Sequence, residues 1–129
     1  MCKIEVMLAD DHTLVRQGIR SILEMEEDIR VIGEASSGRE LLTAIKNGIQ
    51  PEIILMDIQM PEMDGLEATR QIRYEWPNEE QPYIVAMTAN ALQGNREEYI
   101  KIGMDDYVSK PIKIEELVGA LQRCQSPKT

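Results

Sequence analysis

The sequence predicts an α/β protein in which five short parallel strands alternate with helices that cover both faces of one sheet. Three observations lead there. Short, mostly apolar runs alternate with segments whose apolar residues recur at helical spacing. Two of the runs, Ile4–Ala9 and Ile53–Met56, are too apolar for strands with one wet face and suit strands buried on both. A length of 129 residues is one domain's worth of chain, enough to bury a sizeable core.

The elements follow in order. Ile4 to Ala9 reads as the first buried strand. From Thr13 to Met25 a helix carries Leu14, Ile19, Ile22 and Leu23, with Asp11 or His12 leading into its first turn. Arg30 to Ala35 is the second strand. A short helix from Arg39 to Lys46 carries Leu41, Leu42 and Ile45, and Asn47-Gly48 closes it as a C-cap. Pro51 introduces the most apolar strand, Glu52 to Met56. Gly65 opens a helix through Arg73 with Leu66, Ala68 and Ile72 on one side. The polar, Pro77-containing segment Glu75 to Gln81 is a loop, with Trp76 partly exposed in it. Tyr83 to Met87 is strand four, and a helix near Gly94 to Ile102 ends at Gly103. Tyr107 to Ser109 is a short fifth strand, and Ile114 to Cys124 is the last helix. Strands separated by helices imply right-handed βαβ crossovers. The first and third strands are the most apolar, which suits central positions. This favours the flavodoxin-like (βα)5 three-layer sandwich of strand order 2-1-3-4-5, whose ligands bind beyond the carboxyl ends of the strands.

Composition excludes several functions. The net charge is −9, with acidic residues dispersed along the chain, so direct nucleic-acid binding by this domain is not expected. No apolar stretch is long enough for a membrane span or a signal peptide, so the expectation is a cytoplasmic protein with no membrane partner. Cys2 and Cys124 read as free thiols in a reducing compartment. The eight methionines sit at core-like positions and substitute for the absent Phe. Residues 1–125 form the domain, and 126–129 read as a tail or the start of a linker.

Four of the five strands deliver a charged or hydroxyl group to the same edge. Asp10 and Asp11 follow the first strand, Asp57 ends the third, Thr88 ends the fourth, and Lys110-Pro111 follows the fifth. Carboxylates brought close together repel, and a hard divalent cation such as Mg²⁺ relieves this through oxygen ligation. A hydroxyl and an ammonium suit the oxygens of a phosphoryl group, whose transfer needs positioning and charge neutralisation. A carboxylate can itself be the nucleophile and become an acyl phosphate. Taken singly, Asp10-Asp11 would be a turn and helix cap, Thr88 a strand-end hydroxyl, and Lys110 a solvated lysine. Asp57 is harder to dismiss, because an idle carboxylate after four apolar residues incurs a desolvation cost. His12 lacks partners at ligand spacing and reads as a first-turn helix residue beside the acidic pair rather than a ligand or phosphoacceptor.

From Lys3 through Cys124 the chain resembles the receiver domain of two-component response regulators, of the chemotaxis-regulator-like kind. The matching pieces are Leu8-Ala9-Asp10-Asp11-His12, the run from Leu55 through Asp57, Pro61 and Asp64 to Gly65, Met87-Thr88-Ala89, and Tyr107-Val108-Ser109-Lys110-Pro111. The resemblance implies that Asp57 accepts a phosphoryl group from a sensor histidine kinase or a histidine phosphotransfer protein. It implies Asp10, Asp11, Asp57 and the Gln59 backbone carbonyl as the Mg²⁺ site, with Mn²⁺ as a substitute. Thr88 and Ala89 would line the phosphoryl group, Lys110 would pair with it, and Pro111 would follow a cis bond. Tyr107 matches the switch aromatic, moving as Thr88 is drawn inward and altering the face of helix four, strand five and helix five. Gln59 and Asn90 occupy positions that tune phosphoryl lifetime in this family. On this reading the domain is a signalling phosphoacceptor that assists its own phosphorylation and dephosphorylation, not an enzyme acting on other substrates. A homodimer on activation is compatible with it.

The resemblance has two parts. Through about Leu42 the chain is similar to regulators carrying a helix-turn-helix output domain, which would make transcription regulation the output. From Asp57 onward it is similar to receivers attached to hybrid histidine kinases; the start at Met1 argues for a true N-terminus and against that arrangement. The alternative is a pseudo-receiver that binds partners without phosphorylation, but none of the acids nor the lysine is lost. An aspartyl-phosphate phosphohydrolase would place a second acid where Gln59 stands. A flavin-binding protein of this fold would carry a phosphate loop where Asp10-Asp11 would repel phosphate.

Overall fold

Residues 4–27, 29–58, 60, 63–75, 82–88, 95–109, 115–117 and 119–120 are described by the structure, a computed structural model. The chain runs β1 (Ile4–Ala9), α1 (Thr13–Glu24), β2 (Ile29–Ala35), α2 (Gly38–Lys46), β3 (Ile53–Asp57), α3 (Gly65–Glu75), β4 (Tyr83–Thr88), α4 (Asn95–Ile102) and β5 (Asp106–Ser109). Residues 115–117 and 119–120 are also helical, within the expected last helix. All four strand pairings are parallel, and the sheet order is β2-β1-β3-β4-β5, as expected.

Alternation along the strands divides the core into two layers. Met7, Ala9, Ile54, Met56, Ile84 and Ala86 point to one face, where Leu41, Leu42 and Ile45 of α2, Ala68 and Ile72 of α3 and Tyr99 of α4 cover them. Val6, Leu8, Ile53, Leu55, Val85 and Met87 point to the other face, against Ile19 and Leu23 of α1 and against Leu117 and Ala120. β3 lies between β1 and β4, and all five of its residues are buried. This explains its unbroken apolar run: neither face of the strand meets water.

Helix ends agree with their chemistry. Ser37 caps α2 by accepting the Glu40 N–H at 3.1 Å, and the positive φ of 111° at Gly48 follows its C-cap Asn47. Gly103 ends α4 at φ 120°, and Arg73 closes over it, its Nε donating to the Gly103 carbonyl at 2.8 Å. The same guanidinium donates to the Pro82 carbonyl at 3.0 Å and Asp105 at 2.8 Å. These bonds explain why α3 continues to Glu75, beyond the expected end at Arg73: the last turn is tied down from outside the helix.

Two expectations need correction. Leu14, expected on the apolar side of α1, is 84% exposed. At about 100° per residue, Leu14 stands roughly 140° around the helix from Ile19, off the stripe formed by Ile19, Leu23 and the half-buried Ile22. Met25 departs likewise from the core role given to the methionines, being exposed just past the end of α1. Met7, Met56, Met60, Met87 and Met104 are buried as expected.

Leu55 is fully buried in the central strand, so Leu55→Ala should lower unfolding free energy by about 2–5 kcal/mol. Urea denaturation measures it. A loss within experimental error of zero would show that the sheet face beneath α1 is not the packed layer described.

Candidate functional site

The carboxyl edge of the sheet collects the expected acids. Asp57 is the last residue of β3 and only 4% exposed, and Asp10, just beyond β1, is fully buried. Asp10, Asp11, His12 and Asp57 each offer a ligand atom, and these atoms all lie within 4.8 Å of one another. Three carboxylates in that space, two of them desolvated, repel strongly unless positive charge joins them. Their oxygens are the donor set a hard divalent cation takes, so the residues fit Mg²⁺.

Local backbone structure fixes the acids. The Asp10 N–H donates to the Ala35 carbonyl at 3.0 Å, and its Oδ1 accepts the His12 N–H at 2.8 Å, which turns the chain into α1. His12 is the N-cap of that helix, as expected, but its side chain makes no capping bond. Its Nδ1 instead lies 3.0 Å from Asp11 and 3.4 Å from Asp10. His12 thus stands at the start of the helix beside the acid pair, as the sequence suggests, with its imidazole within reach of both carboxylates. Beyond Asp57, the Ile58 N–H extends the ladder to the Met87 carbonyl at 3.2 Å, and the Ile58 carbonyl accepts the Gly65 N–H at 2.9 Å. A Cβ at Gly65 would stand 2.4 Å from the Asp57 carbonyl oxygen, so only glycine lets α3 start this close to the acid.

Thr88 ends β4 beside this cluster, 4% exposed, and its Oγ1 lies 3.1 Å from the Tyr99 Oη. Tyr107 is half-buried on β5 against the same core layer as Tyr99. Gln59, Ala89, Asn90, Lys110, Pro111 and Trp76 lie outside the described residues.

A second tier of charge braces the first strand's exit. Arg16 of α1 donates from Nη1 to the Asp10 carbonyl at 2.5 Å and from Nε to Glu34 of β2 at 2.9 Å. Arg20, one turn on, also bonds Glu34. Burial acts to raise the Glu34 pKa, but the bonds from Arg16 and Arg20 and the attraction of both guanidiniums outweigh it and hold the carboxyl below its ordinary value.

With fold and site established, known proteins supply the class. A family model for the response regulator receiver domain matches residues 6–122. The chain belongs to that family, whose members serve two-component signalling and are phosphorylated by histidine kinases. It is 35% identical over 120 residues to the response regulator protein VraR of Staphylococcus epidermidis, covering 93% of this chain and 56% of that protein. The chain thus spans little more than half the length of such relatives. Among solved structures it resembles the signal receiver domain of NarL from Mycobacterium tuberculosis, with a TM-score of 0.85 and 27% identity over 96% of this chain and 97% of that one. It also resembles the receiver domain of the sensor histidine kinase PA1611 from Pseudomonas aeruginosa PAO1, with a TM-score of 0.80 and 36% identity over 95% and 97% of the two chains; that structure has a magnesium ion coordinated in its active-site cleft. Among the described residues of the present chain, no helix is long and apolar enough to cross a membrane.

The Glu34 brace has a pH signature. A carboxyl whose folded pKa lies below its unfolded value of about 4.5 contributes stability above that value and loses it as pH falls through the depressed folded one. Glu34→Gln should therefore reduce stability at neutral pH, with the difference from wild type shrinking below about pH 4.5. Denaturation curves across that range measure it, and a pH-independent difference would contradict the brace.

Proposed function

We propose that residues 1–125 form a phosphoacceptor unit in which Asp57 takes a phosphoryl group from a phosphohistidine on a kinase or phosphotransfer protein. The observation that carries this reading is the convergence of Asp10, Asp11 and the buried Asp57 within one small volume at the carboxyl edge of the sheet. An Asp57 carboxylate oxygen attacks phosphorus in line as the phosphorus–nitrogen bond breaks. The electron pair of that bond returns to the imidazole nitrogen, and Asp57 becomes an acyl phosphate.

Asp10, Asp11 and Asp57 hold Mg²⁺ on this reading, with the Gln59 backbone carbonyl as a further ligand and Mn²⁺ as a substitute. When bound, Mg²⁺ offsets the charge that the carboxylates and phosphoryl oxygens bring together. The Thr88 hydroxyl donates to one phosphoryl oxygen, the Ala89 backbone lies beside it, and the Lys110 ammonium pairs with another, its direction set by a cis bond to Pro111. The Arg16 bond to the Asp10 carbonyl holds the first acid in place. Tyr107 then moves with Thr88 and alters the surface of α4, β5 and the last helix, which controls an output domain or partner. The magnesium in the Pseudomonas receiver domain supports the metal assignment by likeness.

Incubation with acetyl phosphate and Mg²⁺ followed by intact mass measurement tests this. One added phosphoryl group is expected, absent in Asp57→Asn and absent when the metal is chelated. A short-lived adduct is covered by repeating the test with beryllofluoride. If wild type gains no mass and binds no beryllofluoride, the phosphoacceptor reading falls and a phosphorylation-independent interaction module takes its place.

A further inference from the structure

Asp57 and Thr88 end the neighbouring strands β3 and β4, yet side-chain alternation directs them to opposite faces of the sheet. Ile53 and Leu55 pack in the layer covered by α1, which places Asp57 on that side. Ile84 and Ala86 pack in the layer covered by α2, α3 and α4, which places Thr88 on the other. The Thr88 hydroxyl is bonded on its own side, 3.1 Å from the Tyr99 Oη of α4. Both residues are buried, at 4% and 6% exposure, and Tyr99 belongs to the core layer that holds Met56, Ile84 and Ala86.

We propose that Tyr99 is a positioning residue for the Asp57 site: its phenol holds the Thr88 hydroxyl on the α4 side of the sheet, and this bond is given up when that hydroxyl turns to a phosphoryl oxygen on Asp57. The inference rests on the phosphoacceptor reading. Whichever of the two hydroxyls donates, rotation about the Thr88 Cα–Cβ bond towards the phosphoryl group carries Oγ1 away from the Tyr99 Oη. The phenol is then left buried without its partner, a costly state that is relieved when α4 shifts to admit water or another acceptor. Tyr99 thereby sets how readily Thr88 engages the phosphoryl group and ties α4 to the state of Asp57.

Tyr99→Phe keeps the ring and removes the hydroxyl. Relative to wild type, its dissociation constant for beryllofluoride in the presence of Mg²⁺ should fall roughly 2- to 12-fold, the range set by the loss of one neutral hydrogen bond. In a Thr88→Ala background the same substitution should change nothing, because the group it restrains is gone. Equal or weaker binding by Tyr99→Phe overturns the proposal, as does an equal gain in the Thr88→Ala background. In wild type labelled with [¹³Cζ]tyrosine, the Tyr99 Cζ resonance should move when beryllofluoride and Mg²⁺ are added. A bound complex in which it stays put overturns the proposal without recourse to any variant. No beryllofluoride binding by wild type removes the phosphoacceptor reading itself, whereas binding without the Tyr99 effects removes this inference alone.

Discussion

A carboxylate at the end of a strand that is buried on both faces constrains everything around it. Asp57 has four apolar predecessors, all fully buried, and it is itself nearly inaccessible, so its charge meets little bulk water. Such a group persists only where compensating interactions are arranged in advance. β3 sits between β1 and β4, which brings Asp10 to one flank and Thr88 to the other. The ladder is extended through Ile58 to Met87, and the close approach of Gly65 starts α3 directly over the acid. The parallel sheet matters for this reason: it aligns the carboxyl ends of all its strands along one edge, so residues distant in sequence converge without any loop having to reach far.

The acid pair after β1 carries its own support, built from the opposite charge. Arg16 spans α1, β2 and the turn after β1, using one guanidinium to bond a backbone carbonyl and a carboxylate. A planar fork with several fixed donors can do this; a lysine ammonium would satisfy the two partners less well. Glu34 remains ionised under this arrangement despite its partial burial, because two arginines share it. The brace lies on the α1 side of the sheet, and the Arg73 network lies on the other, closing α3 over the turn after α4. Each face is thus pinned near a strand end by an arginine that bonds both backbone and carboxylate.

Much of this was legible in the sequence, for identifiable reasons. The alternation of strands and helices is read from period and punctuation, and the strand order comes with the fold type, the mostly apolar runs of β1 and β3 suiting central positions despite Glu5 within β1. The acids were legible because each stands at a strand end, where period and punctuation are clearest. Leu14 was misplaced because one leucine near a helix start fits a loose apolar spacing, and only the angle to Ile19 and Leu23 rules it out. The extra turn of α3 was hidden because its stabilising bonds come from Gly103, Pro82 and Asp105, far along the chain. Tyr99 gave no signal at all. It reads as an ordinary aromatic in a polar helix, and its meaning depends on a contact with a residue eleven positions away on another element.

That contact changes how the two layers of the molecule can communicate. A close-packed core transmits displacement poorly in small increments, because its side chains occupy discrete rotamers. The sheet separates the layer holding α1 from the layer holding α4, and a side chain passes from one to the other most easily at a strand end, where the backbone no longer blocks it. Thr88 stands at such an end with a hydroxyl that has an available partner on the α4 side and, on the phosphoacceptor reading, a stronger one on the Asp57 side once that residue is charged with phosphate. Charge-assisted hydrogen bonds exceed neutral ones by about twofold, so the competition favours the phosphoryl oxygen without making the resting bond negligible. A modest difference of this kind suits a switch. A much stronger resting bond would hold Thr88 regardless of phosphorylation, and the absence of one would leave α4 uninformed about Asp57.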